Sequence, residues 1–506
     1  MKNTFNNKKV RFNNVINFEK YIADNNEKTI VMDDNFINDC KKSFVSDINN
    51  NIHRNSIVAI GSMISTTNSK QLNEIDHLFL NTIKTKDTKA TNQGHSGRCW
   101  IFAGMNMFRH NLIKALKLSN FEFSETYIFF WDKFERCNTF LNWVSTNKDK
   151  IHNYLNQVKT PNIMSKDEFN YFTNDYITDG GWWNMFSNLV EKYGLIPTNA
   201  MKETWQSVDS DDLNQVLSNV IKSAALDIIR NKTQDSNYHL KTMDNIYSIL
   251  VKFLGTPPKE FRWTYMNEDD ESVRITNLNP LEFKAMTTGG INLNNEYVVL
   301  TNLPRICKEN QLYRVKSSSN MVDGQPLEFL NVNIRELTKY ATKSVLSGHP
   351  VWFASDITKD FNYYHSILDN NIFNMEDVFK YKETNDKGYK LLLNNLDANH
   401  AMVLIGVNMV HNKFKPESWQ VENSWGYMND DTPGQDGFLY MSHEWFQKNV
   451  IQIVIHRNYL SRTICNLFNM EPLELNPWDT VAPSLLNIKT SQIPQKYKRL
   501  IKKDYK

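Results

Sequence analysis

The segment Asn92-Gln93-Gly94-His95-Ser96-Gly97-Arg98-Cys99-Trp100 puts a cysteine at the end of a Gly-rich loop and at the head of a run, Ile101 to Leu116, that is apolar on nearly every face of its first turns. Such a pattern predicts a helix buried all round, with Cys99 at its N-terminus, where unpaired backbone N–H groups and the helix dipole favour thiolate over thiol. Taken alone, a cysteine there is more often a small buried hydrophobe. A thiolate nucleophile needs an imidazole to take and return a proton and a third group to orient it. His400 opens the alternating run Ala401 to Val407, and Asn423 closes Trp419-Gln420-Val421-Glu422 ahead of Ser424-Trp425-Gly426. Two strands joined by a turn would set His400 and Asn423 side by side. Gln93, six residues before the cysteine, is placed to supply an amide donor that pairs with the Cys99 N–H to hold an oxyanion.

The elements that must position these groups follow a simple order. A helix is expected around Asp39 to Ile52 and a second near Asn68 to Ile83, and the pattern stays mainly helical from about 99 to 255. After Asp179-Gly180-Gly181, the residues Trp182, Phe186, Leu189, Val190 and Tyr193 recur at helical spacing, with Gly194 as the cap and Pro197 as a stop. Beyond about 290 the texture changes to short strand-like runs: 297–300, 312–315, 351–354, 390–393, 401–405 and 451–455. Helices first and strands later imply an α+β fold.

The chain has 506 residues, 41% hydrophobic and 23% charged, which excludes wholly disordered and collagen-like classes. Its formal net charge of +2 hides basic ends: residues 489–506 carry seven Lys/Arg against the single Asp504, and the first eleven residues add four cations and no acid. The acidic remainder argues against a generally basic nucleic-acid-binding body. No run is apolar enough to span a membrane, and no apolar stretch follows the basic N-terminus as in a signal peptide, so the reading is cytoplasmic with no membrane partner. Five widely spaced cysteines, none in CxxC, indicate neither a disulfide framework nor a structural zinc site.

These segments resemble the papain-like cysteine peptidases, and specifically the bleomycin hydrolase/aminopeptidase C family. Gln93, Cys99-Trp100, His400-Ala401 and Asn423-Ser424-Trp425-Gly426 match the wider group. The narrower family is indicated by Phe121 to Tyr127 running into Phe129-Phe130-Trp131-Asp132-Lys133, by Asp179-Gly180-Gly181, by Glu191 to Gly194, by Gly255 to Phe261, by Pro350 to Phe353 and by Pro477-Trp478-Asp479. The resemblance implies Cys99 as nucleophile, His400 as general acid/base, Asn423 as its orienter and Gln93 as oxyanion donor, with Trp425 shielding the Asn423–His400 bond. It implies amide hydrolysis of peptide substrates through a thioester, with no metal or organic cofactor. It also implies a helical left subdomain carrying the cysteine, a β-rich right subdomain carrying His400 and Asn423, a helical hook, for which about 207–253 is the candidate and reads equally as helices of the subdomain's own core, and a ring-shaped homohexamer. On this reading residues 1–60 are a polar arm, 61–480 the peptidase domain and 481–506 a basic extension.

Two departures stand out. His95 occupies a position where the resemblance leads one to expect a small residue; of two readings, a perturber of the Cys99 pKa or a solvated side chain, the second is favoured. In relatives of this kind the chain ends shortly after Pro-Trp-Asp and its terminal carboxylate fixes the substrate's amine, whereas here 27 residues follow Asp479. Three outcomes stay open: trimming of the tail near Leu486, occupation of the cleft by the tail, or an open cleft with endopeptidase character. The rivals are weaker. Gly94-His95-Ser96-Gly97 lacks the second glycine of a serine elbow at Arg98, and His443-Glu444-Trp445-Phe446-Gln447 lacks a second metal-binding histidine. The non-enzymatic alternative is a papain-fold protein with vestigial catalysis whose basic ends contact nucleic acid or acidic partners.

Overall fold

Helix signals and strand runs resolve into two kinds of layer in the computed structural model, which describes residues 32–84, 88–158, 163–174, 176–230, 236–384, 386–411, 414–426 and 437–479. The first 31 residues of the arm and the basic extension 481–506 lie outside the described residues. By its internal contacts the chain divides into two units, Met1–Asp76 with Asp369–Asn385, and His77–Leu368 with Asp386–Lys506.

In the first unit, the helix expected at Asp39 to Ile52 is two helices, Asp34–Ser46 and Ile48–Ile60. Asp47 interrupts them because its carboxylate accepts from Asn49 N–H at 2.9 Å and so caps the second helix. The unit continues past residue 60 through Ser62–Thr66 and the short helix Ser69–Asn73, with a bridge between Thr67 and Phe373. The helix expected from Asn68 to Ile83 therefore stops at Asn73, and Asn81–Thr82 is extended, paired in the second unit with Val407 and Gly406.

In the second unit, the helix Cys99–Leu116 begins at the cysteine and is buried through its first twelve residues, as its unbroken apolar pattern requires. Ser124 caps the 31-residue helix Glu125–Leu155 by accepting from Tyr127 N–H, and Gly194 ends Trp183–Tyr193. Helices Asp211–Ile229 and Ser236–Leu254 occupy the region assigned to the hook. They bury Leu217, Ile221, Ile246 and Leu250 in the same core as the long helix, and Tyr247 meets the Phe130 ring edge-on at 5.4 Å.

Phe261–Met266 and Ser272–Leu278 pair as a separate two-stranded sheet, and the other strands among the described residues form one 12-stranded sheet. Its main path runs Leu473–Leu475, Gln311–Val315, Leu327–Asn331, Tyr297–Thr301, Val450–His456, Val351–Ser355, His400–Met409, Pro416–Glu422, Phe438–Ser442, Ile367–Leu368 and Phe361–Asn362. The central strand His400–Met409 pairs antiparallel with both neighbours: His400 faces Ser355, and Val403 faces Glu422. The run 390–393 is an exception among the expected strands, forming the end of a helix, Lys387–Leu392. Three successive leucines carry no period, and Asp386, accepting from Gly388 and Tyr389 N–H, starts a helix that they continue. Helical and β-rich layers packed in this order give the α+β architecture.

Candidate active site

Asn423 lies one residue beyond the end of its strand, and its side chain meets His400 directly. His400 Nε2 is 2.8 Å from Asn423 Oδ1. The same oxygen accepts the backbone N–H of Ser424 at 2.8 Å, which fixes the amide with its oxygen toward the imidazole. Nε2 must therefore be the donor, and Nδ1 keeps the lone pair. That nitrogen is buried and has no hydrogen-bond partner among the described residues. Burial pushes the imidazole down to about 4, the Asn423 bond working in the opposite direction, so at neutral pH the ring is an uncharged proton acceptor. The Trp425 ring lies 4.9 Å from the His400 ring and is itself buried, covering the pair.

His400 is positioned from the strand side as well. Asn399 donates to Asp356 Oδ1 at 2.6 Å and accepts from Ile357 N–H, locking the residue before the histidine to the turn after Val351–Ser355.

Gln93 is fully buried and is joined to the same segment. Its backbone N–H donates to Ser424 O at 2.8 Å, Gly426 N–H donates to Thr91 O at 2.8 Å, and Ser424 Oγ donates to Gln93 Oε1 at 2.6 Å. Within the loop Gln93 Nε2 donates to Ser96 O at 2.6 Å. Gly94 takes φ +61° with Val208 so close that a Cβ would stand 2.5 Å from Val208 Cγ1, which leaves room for glycine alone. His95 is half-buried, with its backbone N–H on Val208 O at 2.7 Å and Nδ1 enclosed; this corrects the solvated reading.

Cys99 is fully buried as the first residue of its helix. The turn before it is held by two charged residues. Arg98 makes a two-pronged contact with Glu203 at 2.8 and 3.0 Å and donates to Ser96 Oγ at 2.7 Å; burial works to raise the Glu203 pKa, and the Arg98 guanidinium outweighs it, keeping the carboxylate ionised. Asp179 accepts from Gly97 N–H and pairs with Lys133 at 2.8 Å, and its backbone oxygen takes the Trp100 indole N–H. Trp352, in the strand beside His400–Met409, donates to Trp100 O at 3.3 Å, so the first turn of the Cys99 helix docks on the sheet next to the histidine strand. Two other cysteines are poor nucleophiles, because burial pushes Cys137 and Cys307 up to about 12.

The structure thus joins His400 to Asn423 directly, ties Gln93 to the residue after Asn423, and seats the Cys99 turn on the adjoining strand. Sequence reasoning did not single out Ser424, Arg98, Glu203 or Trp352 for these roles. Ser424, Arg98 and Trp352 carried a signal as members of the sequence motifs, whereas Glu203 carried none.

The profile of the Peptidase C1-like family matches residues 31–482. The chain belongs to that family. Among curated relatives of this C1-like chain, aminopeptidase C of Listeria monocytogenes serovar 1/2a is 34% identical over 429 residues, covering 84% of this chain and 92% of that one. Bleomycin hydrolase of Homo sapiens is 32% identical over 418 residues, covering 80% and 88%. A crystal structure of PepW from Lactobacillus rhamnosis HN001 superposes with a TM-score of 0.80 at 30% identity, covering 89% of this chain and 98% of that one. The papain-like C1 fold and the α+β class are therefore shared. Among the described residues no helix is long and apolar enough to cross a membrane.

Proposed function

We infer that this C1-like chain is a cysteine peptidase that removes N-terminal residues from peptides, with Cys99, His400, Asn423 and Gln93 as its working groups. The observation that carries the reading is the His400–Asn423 contact, whose orientation is set by Ser424 N–H so that Nδ1 is the nitrogen with a lone pair. In the proposed cycle His400 Nδ1 takes the Cys99 thiol proton as Sγ bonds to the substrate carbonyl carbon. The negative charge that develops on the carbonyl oxygen is met by the Gln93 amide and the Cys99 N–H. The C–N bond breaks, the proton on His400 passes to the departing amine, and a thioester remains. Water, deprotonated by His400, then releases the acid and restores the thiol.

The names of the relatives, aminopeptidase C and bleomycin hydrolase, support exopeptidase character and peptide substrates. A cytoplasmic location and a homohexamer with inward-facing sites are part of the same proposal, supported by the resemblance. Sedimentation of the purified chain as a monomer at micromolar concentration would contradict the assembly. The function is tested with an aminoacyl amide bearing a free amine: the reduced wild-type chain releases the amine, and Cys99→Ala, folded by circular dichroism, releases none.

A further inference from the structure

The helix that begins at Cys99 carries two ionisable side chains in its second half that meet one carboxylate on the sheet. Arg109 Nη1 is 2.8 Å from Glu422 Oε1, and His110 Nε2 is 2.6 Å from Glu422 Oε2. All three side chains are 0–1% exposed, and Glu422 is the residue bonded to Asn423. Both other nitrogens of Arg109 are also engaged. Nε donates to Phe121 O at 2.6 Å, and Nη2 donates to Lys89 O at 2.6 Å and to Asn120 Oδ1 at 3.1 Å. Lys89 leads into the Thr91–Gln93 segment, which the same helix holds a second time through Asn106 Nδ2 on Thr91 Oγ1 at 3.0 Å.

One guanidinium therefore touches the three stretches of chain that carry the proposed working groups: its own helix, headed by Cys99; the lead-in to Gln93; and the strand end that delivers Asn423. A planar fork with five donors in fixed directions suits such a junction, and a carboxylate with each oxygen on a different partner cannot slide along the helix without breaking one bond. The helix rises about 1.5 Å per residue, so the junction sits about 15 Å from Cys99. At the other end, the Trp352–Trp100 bond fixes the helix start. Two struts at opposite ends of a rigid rod set both its position and its rotation.

We propose that Arg109, His110 and Glu422 form a positioning cluster that registers the Cys99 helix against the Asn423 strand end, acting on turnover through the orientation of Asn423. The proposal rests on the assignment of Cys99, His400 and Asn423 made above. None of the three touches substrate; the effect is transmitted by the backbone from Glu422 to Asn423.

A double-mutant cycle separates positioning from bulk stability. Glu422→Gln keeps the shape and removes the charge. Alone, it lowers kcat by about tenfold or more with KM within about twofold of wild type. In an Asn423→Ala background, the same substitution lowers kcat by less than about twofold, because the group it acts through is already gone. An equal loss in both backgrounds, or no loss in either, overturns the proposal. Should Glu422→Gln fail to fold, His110→Gln, which leaves the Arg109–Glu422 pair in place, is read in the same cycle with the same two outcomes. The imidazole 15N spectrum of His400 supplies a readout that needs no turnover: wild type shows a protonated Nε2 and an unprotonated Nδ1, and loosening the cluster mixes the two tautomers. An unchanged spectrum in the variant overturns the cluster's role, whereas activity surviving in Cys99→Ala would instead refute the function on which it rests.

Discussion

Ser424 donates its hydroxyl to Gln93 Oε1 at 2.6 Å, a bond between residues 331 positions apart in the chain. With Oε1 engaged, the amide of Gln93 can turn only its NH2 end toward the loop that precedes Cys99, where one contact, to Ser96 O, is already made. The residue after Asn423 thus orients the residue proposed to hold the oxyanion.

Ser424→Ala should lower kcat about tenfold with little change in KM, since a buried acceptor left unpaired costs about 1–3 kcal/mol and frees the amide to rotate. Gln93→Ala should be more severe, about 100-fold or more, as for the loss of an oxyanion donor. Steady-state kinetics on one aminoacyl amide decides both; an unaffected Ser424→Ala enzyme would show that the Gln93 amide is held by other means.

Asn423→Ala removes an acceptor that fixes the histidine tautomer, and about a tenfold fall in kcat is expected from one buried hydrogen bond. Asn423→Asp keeps an acceptor for both His400 Nε2 and Ser424 N–H, so the ring stays oriented, but it adds a negative charge beside the imidazole and raises its pKa. The acid limb of kcat/KM should move to higher pH in this variant. A limb that stays in place would mean that His400 does not set it.

His400 also ties stability to pH. Its pKa is held down to about 4 by burial against an unfolded value near 6.5, so the unfolded chain binds the extra proton first as pH falls. Its contribution is whole above pH 6.5 and is lost progressively toward pH 4, with a slope of at most about 1.4 kcal/mol per pH unit. Glu125, whose pKa burial raises, acts in the opposite direction, so the comparison must be with a matched variant. Wild type should lose unfolding free energy relative to His400→Gln between pH 6.5 and 4, measured by urea titration; a constant difference across that window would contradict the buried neutral imidazole.

Much of this site was legible before any coordinates. The helix at Cys99 was readable because a run apolar on all faces can only be interior, and the two strands because short apolar runs begin at His400 and stop just before Asn423, the first of them buried on both faces through eight residues. What could not be read was long-range pairing of polar groups. Nothing in the local pattern of Arg109, Glu422, Ser424 or Glu203 says that each has a partner up to 331 residues away. The helical reading at 68–83 failed because Asn68 starts a helix that its own sequence sustains only to Asn73, and the strand reading at 390–393 failed because a leucine run has no period of its own.

The 27 residues that follow Asp479 are tested for an effect on specificity by truncation. If the tail alters how a substrate's free amine is held, a chain ending at Leu486 should prefer free over acetylated N-termini more strongly than the 506-residue chain does. Equal preference in the two chains, with the C-terminal mass of each confirmed, would remove the extension from the account of specificity.

The central claim is that Cys99 carries the acyl group. The reduced enzyme, treated with an aminoacyl chloromethyl ketone until activity is gone, should carry a single adduct, and peptide mapping should find it on Cys99 with Cys40, Cys137, Cys307 and Cys465 unmodified. Inactivation that tracks an adduct on any of those four, with Cys99 untouched, would contradict the account.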